Sequence, residues 1–174
     1  IEYDGIFFWA GIDRFLMFNG VVREVPNALN LNWFFDGINM DYRQKVFATK
    51  VPRFGEIWWC YPRGDATECT HAVIYNVREN TWYDTELPNG GRSSGLFPTV
   101  FRKPLMTGSI PTVNPVYYRV TEDGDARITE EGELRVTEES EGESFRLWIH
   151  EQGVDEIDGQ EIVPVQSYFE TADI

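Results

Sequence analysis

Cysteine and histidine are scarce in this 174-residue chain, two of each, and no stretch of it is a long hydrophobic run. A membrane-spanning helix needs about 18 or more consecutive apolar residues, so the sequence predicts no membrane insertion. No basic region followed by an apolar stretch opens the chain. Positive charge is in deficit: 15 Lys and Arg face 29 Asp and Glu, a net −14. That balance argues against a specific or general grip on DNA or RNA, which depends on clustered Lys and Arg. The G-x-G-x-x-G and Walker phosphate loops are missing, and so is the G-x-S-x-G nucleophile signature. The two cysteines leave the redox compartment open.

Aromatics are plentiful instead, with 6 Trp, 8 Tyr and 12 Phe. So much apolar surface excludes disorder of the whole chain, and the length suits one domain or part of a larger one. Residues 1–120 carry 12 acidic and 12 basic side chains and 22 of the 26 aromatics. Residues 121–143 carry 10 acidic against 2 basic, and residues 144–174 carry 7 against 1. The sequence therefore divides into an aromatic-rich region (1–120), an acidic hairpin or loop insertion (121–143) and a closing region (144–174). The first residue, Ile1, reads as the start of a processed, cut or partial chain.

Short aromatic and β-branched runs bounded by Gly, Pro, Asn and Asp predict strands. These are Ile6–Trp9, Phe15–Phe18, Val21–Val25, Lys45–Thr49, Glu56–Tyr61, Ala72–Asn76 and Thr81–Asp84. Further strands are predicted at Val116–Val120, Ala126–Thr129 and Leu134–Thr137, with Phe145–Ile149 and Ile162–Phe169 as a closing pair. Asn19-Gly20 predicts a type I′ hairpin, Glu122–Asp125 a tight turn and Arg92–Gly95 a flexible connector. Only Asn39–Lys45 has the composition of a helical turn. Aligning the two early segments gives the same order in each: aromatic strand, loop, apolar strand, turn, strand, then Val25-Pro26 or Leu87-Pro88. Four-stranded meanders recurring at about 40–50 residues are the unit of a β-propeller. The predicted class is all-β: antiparallel meander blades of a partial propeller with an acidic hairpin insertion.

Candidate chemistry is thin. His71 and His150 lack metal-ligand spacing to each other or to the cysteines, and read as strand residues at loop edges. Cys60 and Cys69 end one loop, where a disulfide and two reduced, packed thiols both remain open. Arg63-Gly64-Asp65 spells an integrin-recognised tripeptide, yet reads as an ordinary glycine turn. Asp123-Gly124-Asp125 begins like a calcium loop, but Ala126-Arg127-Ile128 does not continue it. Trp33, Trp58 and Trp59 are the aromatics that could stack on sugars if exposed, and core if not. No catalytic, cofactor-binding or metal-ligating residue is assigned, and no cofactor is expected.

Three runs together resemble a known family: Leu31–Asn39, Lys45–Ala48 and Gly55–Pro62, continued by Ala72–Tyr83. The late stretches His150–Glu156 and Ser167–Ile174 add to the likeness. They look like propeller blades of tailed-bacteriophage virion proteins, of the short-tail nozzle or tail-tube type or the type that stabilises packaged DNA. The Asn80–Tyr83 run is also similar to kelch blades. The resemblance implies a non-catalytic virion protein of the tail, in a homo-oligomeric ring around the DNA exit channel. Its partners would be other virion proteins: portal or adaptor, tail fibre, or further nozzle subunits. An acidic wall would repel phosphates over a Debye length of ~8 Å, so residues 121–143 are expected to favour DNA transit over binding. The other readings are a glycan-degrading or glycan-binding propeller module of a host-recognition protein. At 174 residues the chain supplies only three or four blades of ~40–50 residues, so the missing blades come from outside this segment or from another chain.

Overall fold

Tight turns set the strands of this protein side by side in chain order. The computed structural model describes residues 1–26, 31–113, 141–150, 155–158 and 161–164. The first sheet is a meander of β1 (Glu2–Tyr3), β2 (Ile6–Ala10), β3 (Phe15–Phe18) and β4 (Val22–Glu24). A helix, α1 (Leu31–Gly37), and a 3₁₀ turn (Met40–Lys45) lead to the second meander. That one runs β5 (Phe47–Val51), β6 (Glu56–Tyr61), β7 (His71–Asn76), β8 (Thr81–Glu86). The third sheet orders β9 (Gly91–Leu96), β10 (Leu105–Val113) and β11 (Glu141–Ile149), and β12 (Asp155–Asp158) pairs with β13 (Glu161–Pro164). All strand pairings among the described residues are antiparallel. The all-β class holds.

The three larger sheets stack face to face in the order of the chain. Side chains alternate across a strand, and in β6 and β7 both faces are buried. Ile57, Trp59, Tyr61, Val73 and Tyr75 join Tyr3, Phe8, Phe15, Val25 and Phe34 in one core, between the first and second sheets. Trp58, Cys60, Ala72 and Ile74 join Val51, Cys69, Leu87 and Met106 in another, between the second and third. Phe15 is the hub of the first core, its ring centroid 4.7–5.1 Å from those of Phe34, Phe35, Trp59 and Trp82. Val25 and Leu87, which the repeat alignment makes equivalent, are both buried just past the last strand of their meanders. β9 crosses close to β5, where a Cβ on Gly95 would lie 3.1 Å from the Phe47 ring and 3.2 Å from Thr49.

The structure corrects several expectations. Asn19-Gly20 is part of a three-residue hairpin loop closed by Phe18 opposite Val22, and only Gly20 has positive φ (103°). A type I′ turn needs two such residues, so it is not one. Leu31–Gly37, read as blade sequence, is α1, and the strand expected from Lys45 begins at Phe47 because the 3₁₀ turn takes the residues before it. Arg92–Gly95 is not a connector but lies within β9, held by β10 on one edge. Strand β10 was not anticipated. Among the described residues Phe145–Ile149 pairs with β10 and Ile162 to Pro164 with β12, rather than with each other as the expected closing pair; the rest of Ile162–Phe169 lies outside the described residues. Val116–Val120, Glu122–Asp125, Ala126–Thr129, Leu134–Thr137 and residues 165–174 lie outside the described residues, and most of the acidic insertion with them.

Candidate functional site

Helix geometry separates neighbouring residues by about 100° around the axis, so consecutive aromatics of α1 point apart. Phe34 enters the core at 2% exposure, while Trp33 is 44% exposed. Trp33 then meets the loop that follows β6. The Arg63 guanidinium lies 3.6 Å from the Trp33 ring centroid. Its Nη1 also donates to Trp33 O at 3.1 Å and to the Tyr61 hydroxyl at 3.2 Å. Gly37 makes room for this, since a Cβ there would sit 2.7 Å from Arg63 Nη1. Ile38 bridges to Arg63, Gly64 N donates to Gly37 O at 3.0 Å and Asn39 N to Pro62 O at 2.8 Å. Asn39 adds a side-chain bond to Ala66 O at 3.0 Å and caps the 3₁₀ turn through Asp41 N.

An open cleft of about 240 Å³ results, lined by Trp33, Asp36, Gly37 and Arg63. Burial raises the Tyr61 phenol pKa, and the neighbouring Arg63 opposes that shift. The cleft offers one aromatic ring with a cation already over it and one carboxylate, and Nη1 of that cation is engaged by Trp33 and Tyr61. It also settles the Arg63-Gly64-Asp65 tripeptide as a turn, closed by Ala66 N onto Arg63 O at 3.1 Å, with the arginine turned back against the protein.

The other sequence candidates do not converge on this cleft. Trp58 and Trp59 are buried in opposite cores. The Trp58 indole donates to Glu56 Oε2 at 3.0 Å, and Tyr83 donates to the other oxygen of the same buried carboxylate. Cys60 and Cys69 are free thiols in the second core. Burial raises both pKa values, that of Cys69 to about 12, which makes them packing groups rather than nucleophiles. His71 opens β7 with Nδ1 3.0 Å from the Thr70 hydroxyl, and burial lowers its pKa. His150 follows β11, edge-on to Trp58 with centroids 6.1 Å apart. Among the described residues no group of three His, Cys, Asp or Glu side chains could hold a metal ion, and no helix is long and apolar enough to cross a membrane. Asp123-Gly124-Asp125 lies outside the described residues.

One residue escaped the sequence reading. Arg92 is 1% exposed, stacks its guanidinium 3.6 Å from the Trp148 ring centroid and donates to Gly90 O at 2.7 Å and Pro88 O at 2.9 Å. It fastens the link from the second sheet to the third. Nothing in Arg92-Ser93-Ser94-Gly95 as a sequence separates it from a polar connector. No protein-family model matches this chain, and no curated protein matches it.

Proposed function

We propose that this chain is a structural propeller segment of a tailed-bacteriophage virion, in the nozzle or neck ring around the DNA exit channel. One observation supports it best: three successive sheets pack in chain order through two shared cores, and the outer faces of the two end sheets carry exposed apolar side chains, beside Glu2 and Glu24 on the first. On the first sheet Phe7 and Phe18 are exposed, and on the third Phe145, Leu147 and Ile149. Stacked meanders are how propeller blades meet, and apolar faces left open mark a protein whose role lies in contacts with others. The family resemblance supplies the setting, and on that reading the chain does no catalysis.

The test is to raise antibodies against the chain and label intact phage particles from the source of the gene. Gold at the tail vertex is the expected result. Labelling absent from particles, or a purified chain that cleaves capsular polysaccharide, overturns the reading.

The runner-up is a glycan-binding module, and the partly exposed Trp33 beside Asp36 and Arg63 is what favours it. Trp33→Ala would then abolish retention on immobilised polysaccharide. On the structural reading the wild-type chain is not retained at all.

A further inference from the structure

Asparagine is followed by glycine twice in this chain, at Asn19-Gly20 and Asn89-Gly90. In such a pair the glycine amide nitrogen lies within reach of the asparagine side chain, and no Cβ hinders its approach. The fold sets the two pairs in opposite surroundings. Asn19, Gly20 and Val21 form the exposed loop between β3 and β4, beyond the last pairing of Phe18 with Val22. Gly20 has φ 103°, and nothing lies within 4 Å of the place a Cβ would take. Among the described residues no hydrogen bond holds the Gly20 N–H or the Asn19 carboxamide.

Asn89-Gly90 instead links β8 to β9 and is packed against β10. Asn89 itself sits at φ 59° and Gly90 at 105°. A Cβ on Gly90 would fall 2.6 Å from the Ile110 side chain and 2.9 Å from Ser109 O. The carbonyl of Gly90 accepts from the buried Arg92 at 2.7 Å.

We propose that Asn19 is a site of spontaneous deamidation, and that Asn89, in the same dipeptide, is protected by the sheet it packs on. In the first step Gly20 N gives its proton to water or hydroxide and attacks Asn19 Cγ. A C–N bond forms, the bond from Cγ to the side-chain nitrogen breaks, and that nitrogen leaves as ammonia. The product is a cyclic imide. Water then adds to either of its carbonyls and opens the ring. One opening gives aspartate; the other gives isoaspartate, in which the main chain runs through the former side chain. Water is the sole co-reactant.

The attack needs Asn19 ψ to rotate until Gly20 N faces Cγ, which swings the intervening peptide. At Gly20 that swing crosses open space. At Gly90 it drives backbone towards Ser109 and Ile110 and takes an acceptor from Arg92, so local opening must come first. Each event at Asn19 turns a neutral amide into a carboxylate beside the exposed Phe18, Val21 and Val22. This chemistry depends on neither the propeller nor the virion reading.

The experiment incubates the full chain at mildly alkaline pH, folded and in urea. Mass spectrometry then follows the tryptic peptides Phe15–Arg23 and Glu79–Arg92, which hold the two sites separately. In the folded chain Asn19 is expected to gain the mass difference between hydroxyl and amide, as an aspartate and isoaspartate pair. Asn89 is expected to react at least ~10-fold more slowly, the ratio set by a prior opening of about 1.4 kcal/mol. In urea the two rates converge, because the dipeptides are identical and their surroundings are gone. Asn19→Gln is expected to leave Phe15–Arg23 unmodified, since the longer side chain closes its larger ring far more slowly. An Asn19 that stays intact in the folded chain overturns the proposal. So do equal rates at the two sites of the folded chain, or a ratio that survives in urea and so comes from flanking sequence rather than from the fold.

Discussion

His150 receives its backbone hydrogen bond through its own N–H, donated to Pro104 O at 2.9 Å, while its ring is set between the second and third sheets. Burial comes first and the Arg92 charge second in lowering its pKa to about 4. Among the described residues Nε2 finds no hydrogen-bond partner. The fold accommodates the neutral ring, so protonation favours the unfolded chain, where histidine titrates near ~6.5. The stabilisation is complete above that value and is lost as the pH falls towards about 4. Urea midpoints between pH 7.5 and 4 should fall for the wild type and fall less for His150→Leu. Equal slopes for the two proteins would assign the acid loss elsewhere. His71 shifts in the same direction but is present in both, so the difference isolates His150. Glu2 and Asp13, lowered by hydrogen bonds from Lys50 and Arg14, lose their contribution as the pH falls through the ordinary carboxylate range and below, and they too are present in both proteins.

Strand β10 depends on a glycine. The register between β9 and β10 shifts between Thr107 and Gly108, and a Cβ on Gly108 would fall 1.8 Å from Gly91 O and 2.9 Å from Arg92 Cα. Backbone lies on the other side of that contact, so no side-chain rotation relieves it. Gly108→Ala should destabilise the protein by about 1–3 kcal/mol, the range of overpacking, read from the shift in denaturant midpoint. A midpoint unchanged within error would mean the bulge relaxes freely. This strand also marks where the sequence stops being legible. Ile6–Trp9, Phe15–Phe18 and Glu56–Tyr61 can be read because aromatic or β-branched runs end in turn residues. Arg92–Gly95 and Leu105–Val113 cannot, because small and polar residues form strands here only where a neighbouring sheet requires close approach, as Gly95 shows against Phe47. Trp33-Phe34-Phe35 misleads in the other direction: aromatic density suggests a strand, and only contact of Phe34 with Phe15 and Tyr61 makes sense of a seven-residue helix. The Trp33–Arg63 cleft shares that blindness, since it joins residues 30 positions apart through a helix the composition hides.

At the scale of the molecule the second sheet belongs to both cores. Repeat proteins often behave as a sum of neighbouring units, and a stack of sheets could unfold from one end. Here the alternate residues of β6 and β7 insert into opposite cores, so loss of either core strips one face from the same two strands. Phe15 lies wholly on one side of that sheet and Met106 wholly on the other, both fully buried. Phe15→Ala should cost about 3–5 and Met106→Ala about 2–5 kcal/mol. If the stack is one cooperative unit, each change should lower the hydrogen-exchange protection of β6 and β7 amides by its full cost, although the two sites touch different cores. Amides of the edge strands β4 and β8 should exchange first in every case, through local opening. The alternative is a stack of independent sheets, in which Met106→Ala leaves β1 to β4 untouched and Phe15→Ala leaves β9 to β11 untouched. The geometry favours the cooperative outcome, because Trp58 and Trp59 are adjacent in one strand and no opening of that strand can expose one core while keeping the other dry.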